Sequence, residues 1–273
     1  RQIMFLALKQ DILPNTVVPL PQFDNKLSLV NNDGLYLLGN VCPHQRSRIA
    51  KCATEHLKCP YHGLEFDIRG NGVGNKFSLQ QHKCYENQTI VFDQYVPYHF
   101  PIDTSFMKLR EQRVDKVNAS VDIIMDLFLD IPHIPVAHAG VYDQIGITNV
   151  DAISWETFVN GSVQYVPTQN NAHIIESDRS YNIGACWLAV YPGTMIEWQP
   201  GAMFITVASG NNNVHVFKYQ DTRYTSDSYQ FNEHIWETAW AQDRELAENI
   251  VELSYDNLDG LKSHHRNWVR RVL

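Results

Sequence analysis

The chain is poor in positive charge: 22 lysines and arginines stand against 30 acidic residues, a formal net charge of −8. No Lys/Arg cluster interrupts that balance before the short Arg266–Arg271 stretch, which argues against nucleic acid as a partner and gives no reason to expect an acidic membrane surface. It lacks an apolar run long enough to span a bilayer, and its first residues do not have a signal-peptide layout, so a cytoplasmic chain with no membrane segment is expected. Cysteine is scarce too. Five of them, an odd number, argue against a disulfide framework. Cys52, Cys84 and Cys186 are scattered and read as free thiols of a reducing compartment. Internal repeats and low-complexity segments are absent.

What is present suffices for two domains. The 273 residues, 44% of them hydrophobic, can bury a substantial core. Up to about Tyr98 the pattern is one of short strands and turns. Lys26–Val30 and Leu35–Leu38 flank Asn31-Asn32-Asp33-Gly34, a hairpin signal. Gly63, Gly70, Gly72 and Gly74 punctuate the middle of this half, and Thr89–Phe92 reads as a further strand. Pro97 and Pro101 mark a boundary, giving an all-β domain over residues 1–98 and a second domain over 99–273. In the second, Val117–Asp130 has helical periodicity. The runs Ser162–Val166, His173–Ser177, Gly184–Tyr191, Met195–Trp198, Met203–Ala208 and Val214–Tyr219 are strand-like, and a long amphipathic helix covers about Phe231–Ser254. Strands in series with helices before and after predict an α+β fold, an antiparallel sheet packed on helices.

The first chemical constellation is Cys42-Pro43-His44, then fourteen residues, then Cys59-Pro60-Tyr61-His62-Gly63. Two Cys/His pairs on separate loops can bring two thiolates and two imidazoles to one centre. That set holds a Rieske [2Fe–2S] cluster, with cysteines on one iron and histidines on the other. Structural zinc is the alternative, although such sites more often use a Cys-x2-Cys knuckle.

The second constellation is spread along the chain. Asp122, Asp126, Asp130 and His133 fall along one helical stripe, which by itself describes a solvated face. His138 lies well round the wheel from His133. Pro135, however, drives Ile134 out of the α region and is expected to break the helix between the two histidines, so their rings can converge. Asp243 sits inside the apolar stripe of Trp236, Ala239, Trp240, Ala247, Ile250 and Val251, pointing a carboxylate at the core. Burial there is costly unless the group is paired, hydrogen-bonded or metal-bound. Two histidines and one carboxylate are the ligand set of mononuclear non-haem Fe(II) oxygenases.

The motifs "CPH" and "CPYHGLEFD", with Asp130-x-x-His133-x4-His138 and Asp243 in "AQDRELAENI", resemble the catalytic subunits of the Rieske oxygenases, their single-chain demethylase branch in particular. The resemblance implies an N-terminal Rieske domain and a C-terminal helix-grip domain. It implies a cluster on Cys42, His44, Cys59 and His62, and a mononuclear iron on His133, His138 and Asp243. It further implies Asp130 as a side-chain bridge between a cluster histidine and His133, with the cluster supplied by a neighbouring subunit of a homotrimer. A ferredoxin or flavin reductase would carry electrons from NAD(P)H, O₂ would be the co-substrate, and a small organic molecule would be hydroxylated or demethylated. The sequence departs from the family pattern in a shorter interval between the Cys/His pairs, in Leu127 where Asn is often found, in Pro132 before the first histidine, and in a short catalytic half. A Rieske electron carrier, or a ligand-binding module with a degenerate second domain, are the competing functions. The other histidines, with Trp187, Tyr191, Trp198, Met203 and Phe204, read as surface or core.

Overall fold

Turn chemistry sets the first sheets. The computed structural model describes residues 4–49, 56–147, 149–168, 172–176, 179–253 and 260–272; Cys52 lies outside them. Strands β1 (Phe5–Leu8), β2 (Thr16–Pro19), β3 (Leu27–Asn31), β4 (Leu35–Gly39), β5 (His56–Lys58), β6 (Glu65–Asp67), β7 (Gly72–Val73), β8 (Gln81–His82), β9 (Tyr85–Asn87) and β10 (Ile90–Phe92) form three small antiparallel sheets, β1-β10-β9, β2-β3-β4-β8 and β5-β6-β7. The expected hairpin joins β3 to β4. Its tip places Asp33 and Gly34 at φ 43° and 157°, values that Gly reaches without a Cβ penalty. Cys42 and Cys59 belong to the core of this unit, packed with Val30, Leu38, Ile49, Leu57, Phe66 and Leu79.

The chain divides into compact units at Val96 and Pro97. Beyond that point β11 (Met107–Lys116), β12 (Ser154–Phe158), β13 (Gly161–Val166), β14 (Ala172–Glu176), β15 (Arg179–Ile183), β16 (Ala185–Val190), β17 (Thr194–Gln199), β18 (Ala202–Ser209) and β19 (Asn213–Asp221) follow. Seven of them make one antiparallel sheet in the order β11-β19-β18-β17-β16-β13-β12, and β14 pairs with β15. Asn211 and Asn212, at φ 66° and 58°, turn β18 into β19, because two consecutive left-handed residues match the twist of a hairpin.

Among the described residues four α-helices accompany the sheet: α1 (Val121–Phe128), α2 (Ile134–Ala137), α3 (Ser226–Asn249) and α4 (Gly260–Val272). Ser120 caps α1 and Thr225 caps α3, each accepting a backbone N–H three residues on. Ile124 and Leu127 of α1 pack with Trp236 and Trp240 of α3. Met125 and Leu129 pack with Leu261 of α4 and Trp187 and Tyr191 of β16 and the turn after it. No helix among the described residues is long and apolar enough to cross a membrane.

Two expectations need correction. The first helix ends at Phe128, not Asp130, and the chain breaks there before entering a 3-10 turn over Ile131–His133 and then α2. Pro132 and Pro135 each sit in the first turn of one of these short helices, and Ile134 keeps right-handed helical angles (φ −52°, ψ −53°), so the break falls before His133 and not at Ile134 as expected from Pro135. The long helix runs Ser226–Asn249, so Val251 leaves the apolar stripe and is 99% exposed.

Candidate metal centres

In the N-terminal unit the two Cys/His loops are built alike. In one, Cys42 N–H donates to Ser47 C=O and Arg46 N–H donates to Cys42 C=O; in the other, Cys59 N–H donates to Leu64 C=O and Gly63 N–H donates to Cys59 C=O. Both loops therefore carry a left-handed residue four positions after the cysteine, Arg46 at φ 60° and Gly63 at φ 71°. The cysteines are buried and the histidines exposed. The rings of His44 and His62 lie 4.8 Å apart, centroid to centroid, and Phe77 and Tyr61 lie against them. Burial opposes ionisation of Cys59. The N–H groups of Tyr61 and His62, with the Cys42 and Ser47 side chains, outweigh it and hold the thiol below its usual range. Two thiols in an apolar base and two imidazoles at a wet rim fit a cluster with unlike ends.

The second unit draws its three expected ligands together from two places in the sequence. His133 Nε2 lies 2.9 Å from His138 Nε2, and Asp243 Oδ1 lies 3.4 Å from the first and 3.0 Å from the second. His138 and Asp243 are buried and His133 is half-buried. The far side of each ring fixes its tautomer. His133 Nδ1 is 2.5 Å from the backbone carbonyl of Asp130, which can only accept, and His138 Nδ1 is 2.8 Å from Gln242 Oε1. Both Nδ1 atoms therefore carry the proton, and both Nε2 lone pairs point inward. Asp243 Oδ1 finds no donor among the described residues. Three acceptor atoms thus converge on one point. Atoms bound at about 2.1 Å to one ion and at right angles to each other stand about 3 Å apart, so the trio has the dimensions of one face of an octahedron.

The neighbours respond to this crowding. Burial disfavours protonation of His138, yet the adjoining carboxylate of Asp243 outweighs it and lifts the imidazole above its usual range. Burial likewise opposes ionisation of Asp243, but the two histidines hold its carboxyl below the ordinary value. The rotation of α3 that aims Asp243 is pinned from several sides. Arg113 on β11 grips Glu237 through both terminal nitrogens, Trp240 Nε1–H donates to Asp115 at 2.8 Å, and the buried ammonium of Lys218 pairs with Glu111, Glu233 and Glu237.

A small cavity of about 30 Å³ opens beside the triad, room for a water or a group of similar bulk. Phe128, Tyr142, Trp187, Trp236 and Trp240 contribute to its wall, and so does Glu197. Glu197 faces the site from β17, opposite Trp187 on β16, and Trp236 Nε1–H donates to its Oε1 at 3.2 Å. Burial pushes its carboxyl up to about 7; Trp236 opposes the shift and the charge of Asp243 adds to it. Tyr142 is raised well above its usual value, by burial first and then by the nearby carboxylates.

Asp130 stands between His133 and α4. Its backbone carbonyl holds His133, whereas its carboxylate pairs with Lys262 of α4 at 2.8 Å. The chain turns just before the 3-10 segment and carries the side chain away from the ring. The carboxylate borders a groove of about 560 Å³ that also includes Ile131, Pro132, Trp155 and Leu261. Asp126 also departs from the solvated-face reading. It is buried and bound at both oxygens by Arg266, at 2.8 and 2.5 Å.

Glu197, Gln242 and Lys262 were not singled out by the sequence. Glu197 could have been, because it is the single charge in the apolar strand Thr194–Gln199, the same signal that marked Asp243. Lys262 and Arg266 stand four apart on α4, a spacing that faces a common partner, but nothing local says which.

The family model of the Rieske [2Fe–2S] domain matches residues 2–86, so this part of the chain is a Rieske domain. No curated protein sequence matches the chain. Solved structures similar to it include the quaternary ammonium Rieske monooxygenase CntA with an inhibitor, at 18% identity and TM-score 0.70 over 91% of this chain and 77% of that one. The same monooxygenase with its substrate L-carnitine aligns at 17% identity and TM-score 0.67, again over 91% and 77%. NdmA of Pseudomonas putida CBB5 aligns over 98% of this chain and 88% of its own, at 13% identity and TM-score 0.61. At these identities the likeness is one of fold: an N-terminal Rieske domain followed by an antiparallel sheet with helices.

Proposed function

We propose that this chain is the terminal component of a Rieske-type oxygenase. Electrons drawn from NAD(P)H through a separate ferredoxin or reductase would reach a [2Fe–2S] cluster on Cys42, His44, Cys59 and His62. They would pass to a mononuclear iron on His133, His138 and Asp243, where iron would supply the activation of O₂ for hydroxylation or demethylation of a small organic substrate. One observation carries the reading: the octahedral face of three inward lone pairs at 2.9–3.4 Å, which leaves opposite positions open for O₂ and substrate. The protein's own part is to hold and orient. The Asp130 carbonyl and Gln242 Oε1 fix both rings as neutral ligands, aromatic side chains wall the cavity, and the Asp130 carboxylate, once released from Lys262, would meet a cluster histidine of a second subunit.

The test is metal analysis with mutation. Iron-replete protein should hold three irons and two sulfides per chain, and show in its reduced state the magnetic resonance signal of mixed Cys/His ligation. His138→Ala should lose one iron and keep that signal. A variant that retains all its iron would remove the second centre. Two irons in the wild-type chain would instead favour the electron-carrier reading.

A further inference from the structure

A second pocket, of about 210 Å³, lies in the slot between α3 and the sheet. Its walls continue those of the metal cavity along the same three elements. Gln199 follows Glu197 on one face of β17, Asn232 and Ser228 precede Trp236 by one and two turns of α3, and Gln144 and Ile145 share the 3-10 turn of Tyr142. Two strand residues or one helical turn cover about 5–7 Å, so a molecule seated in this pocket ends close to the triad. The space equals that of roughly seven waters in the liquid. No charged residue is among those lining it, and its polar groups are sorted. Asn232 Nδ2 donates to the carbonyls of Pro200 and Ser228 at 2.9 and 2.8 Å, and Gln144 Nε2 donates to Gly140 C=O at 2.7 Å. Ser228 Oγ–H donates to Pro200 C=O at 3.1 Å. Carbonyls only accept, so both amides are fixed in orientation, and each of the three side chains has an oxygen left over as an acceptor. Gln199 differs. It keeps 7% of its surface, and among the described residues nothing hydrogen-bonds its amide. A buried amide without a partner is costly, and this one lines the pocket beside the apolar surface of Ile145, Pro200 and Phe231.

We propose that this pocket holds the body of the substrate, an uncharged ring bearing hydroxyl groups, while the carbon to be oxidised reaches the cavity at the triad. Hydroxyl hydrogens meet the spare oxygens of Asn232, Gln144 and Ser228. The Gln199 amide donates to one hydroxyl oxygen and accepts from another, and the apolar face of the ring lies against Phe231 and Ile145. Ions are refused, because a charge leaving water meets no opposite charge on these walls. The link to the triad rests on the oxygenase reading; the preference of the pocket itself needs no metal.

The probe is cis-cyclohexane-1,2-diol, set against cyclohexanone, which has no donor, and cyclohexylammonium, which is charged. Calorimetry on the full chain should find the diol at least tenfold tighter than either, since a site built for hydroxyl donors is left with unpaired acceptors by the ketone and strands the charge of the amine. Gln199→Met should close most of the gap between diol and ketone. Mn²⁺ bound at the triad should then speed the relaxation of the diol's ring protons many-fold over Zn²⁺ at the same place, and should not do so in His138→Ala. Equal affinities for diol and ketone, or tighter binding of the ammonium ion, would overturn the assignment of the pocket whether or not the variants fold. A diol that binds yet relaxes alike with either ion would overturn its link to the triad. Protein that takes up neither ion would count against the oxygenase reading, and the calorimetric comparison would still decide the pocket.

Discussion

Two buried carboxylates and a half-buried one answer the same cost in three ways. Asp126 is neutralised by Arg266, Asp243 is set against two histidines, and Glu197 has one indole N–H beside the cavity. Their positions were unequally legible. Asp243 announced itself because a charge in an apolar helical stripe has to go somewhere, and Glu197 carried the same signal in a strand. Gln242 carried none: an uncharged residue next to a ligand looks like any helical glutamine until His138 Nδ1 is found 2.8 Å from its oxygen. Gln242→Ala should lower affinity for Co²⁺ at the triad by about 10- to 100-fold, the usual effect of losing the partner that orients a ligating imidazole. Titration of the cobalt absorption bands against a competing chelator measures it; an unchanged affinity would mean that the helix break alone positions His138.

At the scale of elements, α4 is held to the end of α1 by charge as well as by packing. Arg266 binds Asp126, Lys262 binds Asp130, and Tyr191 contacts His264. Asp126 is opposed by burial, but its His265, Arg266 and Lys262 partners bring its carboxyl down to about 2. A carboxyl lowered on folding contributes stability above its unfolded value near 4 and loses it as pH falls through the folded one. The contribution is thus about 2 kcal/mol at neutral pH, fading between roughly pH 4 and 2. Arg266→Ala should cost about 3 kcal/mol at pH 7, since it strands a buried charge, and the deficit should shrink below pH 4; urea titrations at both pH values read it. α4 escaped the sequence reading because its residues are mostly polar and it buries little more than Leu261, His265, Arg266 and Val269. β11 escaped for a related reason. Lys108–Lys116 is rich in charge and mostly exposed or half-buried, so its strand identity comes from pairing with β19 and not from alternation. The central strands were legible because burial on both faces leaves continuous apolar runs.

For the whole molecule, charge is divided unevenly. Phe5–Val96 carries nine basic and eight acidic side chains, and the remainder of the chain carries 13 and 22. All of the net negative charge therefore belongs to the sheet-and-helix unit, where its self-repulsion opposes folding. Raising ionic strength from about 0.01 M to about 0.15 M shortens the screening length from roughly 30 to 8 Å, and should raise the unit's melting temperature by a few degrees in calorimetry. A fall would mean that attractive pairs such as Arg113–Glu237 outweigh the repulsion. The α+β class was readable from the change of pattern near Pro97. The paired cluster loops were readable only as ligands, because their shape lies in backbone hydrogen bonds that side-chain spacing does not encode.

Those loops bear on the order of events during maturation. Each closes on itself through the same two backbone bonds, and each meets its left-handed corner without help from the other, one with Gly63 and one, less comfortably, with Arg46. Loops closed by their own backbone bonds lower the conformational entropy that gathering four ligands would cost. Cluster assembly on such loops would resemble the filling of a mould more than the folding of a flexible strap around a metal. Arg46 makes one half of that mould the looser, so the Cys42 loop is the half expected to give way when a cluster enters or leaves.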